Sequence, residues 1–272
     1  MDGYKRLFKI FLLTFVIILS TGVASSKVIT ETDIPYSEKT DSYSTNRLKL
    51  DISYPDTATK TAVVVWFHGG SLTKGNKAIP SKLKDEGYVI VAPNYRLVPN
   101  VDVEDCIDDA AEALAWVFKN IDKYGGDPNK IFVAGHSAGG FLASMIGLDK
   151  TRLSKYGIDA DSIAGLIPYS GQVITHFSDR KKMGIDPLTP YIDRNAPISH
   201  IRKDAPPYII ITGDAEEELY GRYEENLYMW RMLKLVGHPD VRIYKLDGYS
   251  HGAMVTPAHH ILKKEIKRLL ND

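Results

Sequence analysis

The stretch from Ile131 to Gly147, IFVAGHSAGGFLASMIG, governs how the rest of the 272-residue chain is read. Ile131 to Ala134 is a short apolar run of strand character, Gly135-His136-Ser137-Ala138-Gly139 turns the chain sharply, and small and apolar residues suited to a helix follow. A strand, a G-x-S-x-G turn and a helix together make an elbow that lifts the Ser137 Oγ above a sheet. The spacing has a steric reason: side chains at 135 and 139 would collide with the neighbouring strand and helix. The N–H of Ala138, at the helix start, would point to where negative charge develops on an attacked carbonyl. A bare G-x-S-x-G arises by chance in about one in ten chains of this length. The flanking strand and small-residue helix therefore carry the reading.

Outward from the elbow, apolar runs alternate with helical spacings. Leu48, Leu50 and Ile52 alternate with polar residues as a half-buried strand does. Ala62 to Phe67 and Tyr88 to Ala92 are continuous apolar runs suited to strands covered on both faces. Further strands are expected at Ile163 to Pro168, Tyr208 to Thr212 and Val241 to Leu246, and helices over about 76–86, 103–122, 221–236 and 257–270. This alternation predicts an α/β fold, a mostly parallel central sheet with helices on both faces. Residues 26–46 read as a polar N-terminal arm and 47–272 as one catalytic domain. Within it, the irregular stretch 171–206 is longer than an ordinary connection and reads as a lid or substrate loop. Tyr169, His176, Arg180 and Tyr191 lie near its expected mouth, as substrate contacts or as ordinary loop packing.

A serine hydroxyl needs a base, and the base needs an acid to orient it. In an elbow-bearing sheet the chain order is serine, acid, histidine. Of the eight histidines, His251 in Gly248-Tyr249-Ser250-His251-Gly252 sits between the last strand and the last helix, where a base is expected. His259 and His260 fall inside the last helix, and His238 lies at the wrong edge of the sheet. The acid should follow Tyr208 to Thr212, where Gly213-Asp214-Ala215-Glu216-Glu217-Glu218 offers four carboxylates. Glu216 fits the expected reach, Asp214 is the alternative acid, and Glu217 and Glu218 remain open. His68-Gly69-Gly70-Ser71 follows a buried strand directly, so Gly70 and Ser71 N–H, with Ala138 N–H, are assigned to an oxyanion hole. Gly69 serves the turn, and His68 holds the loop by a hydrogen bond. A phosphate loop is excluded, because Asn76 stands where its lysine is required.

Composition narrows the partners. The formal net charge is zero, so a nucleic-acid or anionic-membrane partner has no bulk electrostatic support. The KKEIKR run at 263–268 reads as the solvated face of a helix. Cys106 is the single cysteine, which excludes an intramolecular disulfide and Cys-based metal spacing. It falls in helical spacing and reads as a buried structural thiol. Residues 1–25 carry Lys5, Arg6 and Lys9 around the apolar run Ile10 to Leu19, then Val23-Ala24-Ser25, which is the pattern of a cleaved secretory signal peptide. No cysteine follows the run, so the pattern is not that of a lipoprotein. A secreted or periplasmic protein with no stable membrane insertion after cleavage is expected.

Five segments together resemble one superfamily: His68-Gly69-Gly70-Ser71, Asn94-Tyr95-Arg96-Leu97, Gly125-Gly126-Asp127-Pro128, Gly135-His136-Ser137-Ala138-Gly139-Gly140 and Ser250-His251-Gly252. Over about 48–270 the chain resembles the α/β-hydrolase superfamily, in its carboxylesterase branch similar to hormone-sensitive lipase and bacterial acetyl and feruloyl esterases. The resemblance implies serine acyl transfer without metal or cofactor, on short-chain or carbohydrate-linked esters. Ser71 replaces the third glycine of the usual H-G-G-G, as in the acetyl and feruloyl esterase relatives. The family's Asp-Pro-Leu acid loop is missing, which leaves the acid the least fixed position. The lipase-type N-terminal cap is also missing, implying an open site suited to polysaccharide esters. A prolyl-peptidase-like or arylformamidase-like hydrolase shares the elbow and is the alternative within enzymes. A non-catalytic binding protein on the same scaffold is the alternative outside them.

Overall fold

The computed structural model describes residues 27–84 and 86–271; the expected signal peptide lies outside the described residues. Eight strands form one sheet in the order β1-β2-β4-β3-β5-β6-β7-β8. In chain order these are β1 (Val28–Pro35), β2 (Lys49–Pro55), β3 (Thr61–Phe67), β4 (Val89–Pro93), β5 (Gly126–His136), β6 (Gly165–Tyr169), β7 (Tyr208–Thr212) and β8 (Val241–Lys245). β1 and β2 run antiparallel to their neighbours, and every pairing from β4 through β8 is parallel. The chain has the α/β-hydrolase fold.

Strand alternation builds two apolar layers. Val63, Val65 and Phe67 of β3 join one core, and Ala62, Val64 and Trp66 join the other. The first core is closed by α2 (Val103–Asn120), α3 (Ala138–Leu148), the short α4 (Lys150–Ser154) and α6 (Arg222–Leu235), through residues such as Ile107, Leu114, Phe141, Leu153, Met229 and Leu233. The second is closed by α7 (Val255–Asn271), through Ala258, Leu262 and Ile266, with Met254 just before the helix. Nearly every residue of β3 and β4 is buried because both faces are covered. Cys106 is buried on α2, and burial pushes its thiol up, as befits a packing residue.

Two expectations are corrected. Residues 26–46 are no loose arm: β1 pairs with β2 in register from Val28↔Pro55 to Pro35↔Lys49, and α1 (Ser42–Arg47) follows it. The polar sequence of β1 suits an edge strand with little of its surface buried, so composition hid it. The helix expected over 76–86 is reduced to a single 3₁₀ turn at Ser81–Leu83. There the Arg47 guanidinium donates to Asn76 Oδ1 and Gly75 O, and Lys77 N–H donates to Asn94 Oδ1. These bonds hold the strand-to-helix stretch extended, and Pro80 cannot supply an internal helical N–H.

The segment 171–206 is ordered by its own contacts. It carries α5 (Phe177–Lys182) and a 3₁₀ turn at Pro197–His200. Thr175 and Asp193 bond reciprocally, with Thr175 Oγ1 donating to Asp193 Oδ1 and Asp193 N–H donating to Thr175 Oγ1. Ile198 N–H donates to Val173 O, so both ends of the segment are tied together. Among the described residues no helix is long and apolar enough to cross a membrane.

Candidate active site

β3, β5, β6, β7 and β8 all end on one edge of the sheet, and the loops that follow them meet there. The elbow takes its shape from close backbone packing. A Cβ at Gly135 would lie 2.6 Å from the Gly139 carbonyl carbon and 2.7 Å from Phe67 O, and one at Gly139 would overlap the Phe67 carbonyl. Glycine is obligatory at both positions. Ser137 sits between them at φ 58° and ψ −115°, a strained conformation for a residue with a side chain. Its N–H donates to Tyr169 O at 2.8 Å, which fixes the turn on β6.

The strain is not confined to Ser137. Among the described residues six non-glycine positions have positive φ, and four of them, Ser71, Leu72, Ser137 and Ser170, lie in loops at this same edge. Gly70 has φ +117°, and a Cβ there would strike the backbone of Lys74. The loop after β3 is held from several sides. The His68 ring stacks on Tyr95 at 4.3 Å, and its Nδ1 pairs with Gly69 O at 2.7 Å. Tyr95 Oη donates to His68 O at 2.8 Å, and Ser178 Oγ of α5 donates to Ser71 O at 3.0 Å. Burial lowers the His68 pKa to about 4, so the ring stays neutral and structural near neutral pH. Ala138 is the first residue of α3, so its N–H has no intrahelical acceptor.

The structure brings His251 against Glu218, not Glu216. His251 Nδ1 lies 2.6 Å from Glu218 Oε2, and the Glu218 side chain is 1% exposed. Glu216 is exposed on the outside of the loop. A helical turn explains the correction. Glu218 N–H donates to Asp214 O at 3.0 Å, so advancing four residues brings the side chain back over the end of β7. Glu216, two residues along, faces the opposite way, and its N–H donates to Asp214 Oδ1. Asp214, the alternative acid, is a fastener instead, accepting from Gly248 N–H at 2.7 Å while its own N–H donates to Tyr249 O at 2.9 Å. Gly213 makes room, since a Cβ there would lie 2.5 Å from Tyr249 O and 2.9 Å from Glu218 Oε1.

Burial alone would raise the Glu218 carboxyl. It is outweighed by hydrogen bonds from His251 and Ser170, by the His251 charge and by the Gly213 N–H, and the pKa settles at about 2. The acid is thus ionised at any working pH and accepts from Nδ1–H. That tautomer leaves a lone pair on His251 Nε2, which is buried and finds no partner among the described residues.

Three supporting residues were given no role from the sequence. Ser170 donates to Glu218 Oε1, and the Arg222 guanidinium donates to Ser170 O at 2.6 Å. His136, within the elbow, pairs its Nε2 with His251 O at 2.8 Å, the two rings lying 4.5 Å apart. Burial, helped by the His251 charge, depresses His136 to about 4, so it remains a neutral donor. Its place in G-H-S-A-G was the one available signal.

Most of the other sequence candidates are engaged within the protein. Tyr169 is fully buried and pairs with His259 Nδ1 at 3.2 Å. His176 caps α5, Arg180 is buried, and Tyr191 is exposed on the segment over the edge. His238 bonds the Ala205 and Pro206 carbonyls, remote from the elbow. Among the described residues no group of three or more metal-ligating side chains comes together.

Comparison with known proteins finds similar chains among esterases. The family model BD-FAE matches residues 50–168. Esterase LipC of Mycobacterium tuberculosis is 30% identical over 222 residues, covering 72% of this chain and 54% of its own. The probable carboxylic ester hydrolase LipM of the same organism is 34% identical over 179 residues, covering 57% and 41%. The chain thus spans about half the length of these curated relatives. A carbohydrate esterase from gut microbiota, solved in truncated form, superposes with TM-score 0.74 at 17% identity, covering 91% of this chain and 98% of that one. Esterase 2 of Thermogutta terrifontis gives 0.67 at 24%, covering 89% and 93%. By its own elbow and sheet and by these likenesses, the chain has the α/β-hydrolase fold and is similar to proteins named as esterases.

Proposed function

We propose that this protein is an exported serine carboxylic-ester hydrolase that works through an acyl-enzyme. Its substrates are short-chain or carbohydrate-linked acyl esters, with polysaccharide deacetylation as the physiological role. The observation that carries the reading is the His251–Glu218 pair. It is a histidine whose Nδ1 is held by a buried ionised acid and whose Nε2 is otherwise unpartnered, one hydrogen bond from the residue preceding a strained serine.

In this reading His251 Nε2 takes the Ser137 Oγ proton as Oγ bonds the ester carbonyl carbon. The oxyanion is met by the N–H groups of Gly70, Ser71 and Ala138. The alcohol leaves with the proton returned by His251, and water, deprotonated by the same nitrogen, releases the acid and restores Ser137. Each N–H of the oxyanion hole contributes about a hundredfold or more in rate. The gut carbohydrate esterase of the same fold supports the carbohydrate assignment, and the charge and apolar pattern of residues 1–25 supports export.

The test is an assay of p-nitrophenyl esters from acetate upward beside acetylated xylan. The expected outcome is a steep fall in rate beyond short acyl chains, acetate release from xylan, and a loss of about four orders of magnitude or more in Ser137→Ala. Ester hydrolysis that survives Ser137→Ala overturns the proposal. Cleavage of amino-acid arylamides or formamides alone assigns the site to the peptidase-like or formamidase-like reading. Turnover of none of these substrates leaves a binding protein.

A further inference from the structure

A cleft of about 280 Å³ lies beside the oxyanion loop, lined among others by Ser71, Phe177, Arg180, Pro187, Tyr220 and Arg222. Its two guanidinium groups are unusual. Arg180 is 3% exposed and Arg222 4%, and the Nε of each is buried with no partner among the described residues. Their anchoring is one-sided. Arg180 Nη1 donates to Pro187 O and Thr189 O at 2.9 and 2.7 Å, and Arg222 Nη1 donates to Ser170 O at 2.6 Å. Burial lowers the Arg222 pKa, and the Arg180 charge acts in the same direction, while Glu225 and Glu218 oppose it.

Two buried like charges with unused donors are costly unless an anion joins them. Glu225 gives both arginines a nearby countercharge but accepts from Val173 N–H, and Glu218 is engaged by His251 and Ser170, so neither carboxylate fills the unused Nε donors. Glu224 and Glu225 line the neighbouring cleft, which shares Arg180, Pro187 and Tyr220 but not Ser71. The cleft that holds Ser71 together with both arginines has no carboxylate among its lining residues, and the second cleft that reaches Ser71 holds Asp102 but neither arginine. α5, which carries Arg180, is tied to Ser71 O through Ser178, so the charge is registered to the oxyanion loop.

We propose that Arg180 and Arg222 form a carboxylate-recognising subsite, and that the preferred esters carry a carboxylate near the scissile bond, on either the acyl chain or the alcohol. The planar guanidinium fork matches a carboxylate in geometry as well as charge. The substrate side of this inference rests on the esterase reading above.

Two matched pairs of esters test it. One pairs mono-p-nitrophenyl succinate with p-nitrophenyl butyrate, and the other an acetylated methyl glucuronide with the acetylated methyl glucoside. The expected result is a kcat/KM about tenfold or more higher for the charged member of one pair, shrinking at high salt. The pair that responds tells which side of the ester bears the carboxylate. Arg180→Gln is expected to reduce that charged-to-neutral ratio by about tenfold, and the ratio within one preparation cancels any general loss. Arg180→Lys, which keeps the charge without the fork, gives a smaller fall and replaces the glutamine variant should that fail to fold. A ratio at or below one in both pairs, or one that neither salt nor the variants change, overturns the subsite. Should no ester be hydrolysed, the esterase reading fails and calorimetric titration with succinate decides the subsite separately. Saturable binding weakened in Arg180→Gln upholds it, and no saturable binding overturns it.

Discussion

The elbow and the acid loop reach the same point in space by different physics. At the elbow the backbone is wedged between β3 and α3, and two positions tolerate no side chain at all: Gly135 and Gly139 meet Phe67 and one another. In the acid loop nothing is so tight beyond Gly213. Four carboxylates lie on one short helical turn, and a single angular choice decides which faces His251. Steric exclusion writes itself into residue types, whereas rotation about a turn does not. A site can therefore be half legible.

Predictions follow that contrast, beginning with the largest effect. Glu218→Gln keeps the size but loses the charge that holds the Nδ1–H tautomer, and kcat is expected to fall by about ten-thousandfold. Glu216→Gln, exposed on the same loop, should stay within about twofold. Equal losses in the two variants, read on the same p-nitrophenyl ester, would dissolve the distinction between them. Ser170→Ala removes one donor from Glu218 while leaving its bond to His251, and kcat is expected to drop about tenfold. Thermal unfolding of that variant should show whether the loss is one of rate or of folding.

The smallest effect is read in stability against pH. Buried His68, His136 and His259 are depressed to about 4 and His176 to about 3, chiefly by burial. Unfolded imidazoles take up protons below about 6.5, while the folded ones resist. Stability is thus fully present above that pH and lost progressively as pH falls towards 4. Glu218 acts lower. Its pKa drops from 4.5 to about 2, so its contribution is present above 4.5 and is lost as pH falls through about 2. Thermal unfolding followed from pH 7 to 3 should show the histidine-linked decline first, and His259→Gln should flatten it by up to about one proton. A midpoint that does not change until pH 4.5 would mean the buried imidazoles are not held neutral.

Most of the architecture was legible because covered strands are continuous apolar runs. Ala62 to Phe67 and Tyr208 to Thr212 match their strands to within a residue. The placement of His251 between the last strand and helix, and of His68-Gly69-Gly70-Ser71 directly after β3, was also legible. What escaped was polar and dependent on context. β1 has the composition of a loop because its surroundings are partly solvent. Ser170 and Arg222 are ordinary serine and arginine letters until tertiary packing buries them, and Arg180 stood only as one of four residues near the expected mouth. Glu218 was one of four acids, behind Glu216 and Asp214 in the sequence reading, until the Asp214 turn chose it.

The pairing of β1 with β2 sets a boundary for any processing of the chain. β2 contributes Leu50 and Ile52 to the core, and its outer hydrogen-bonding groups are met by β1. β1 in turn presents Glu31, Asp33 and Pro35 together with a register shift between Glu31 and Ile34, features that discourage a further strand from docking. A protease that cut beyond Val28 would strip this guard and leave β2 open to pairing with a second molecule. On the proposed export, a cut near Ser25 would stop short of Val28 and leave this guard strand in place.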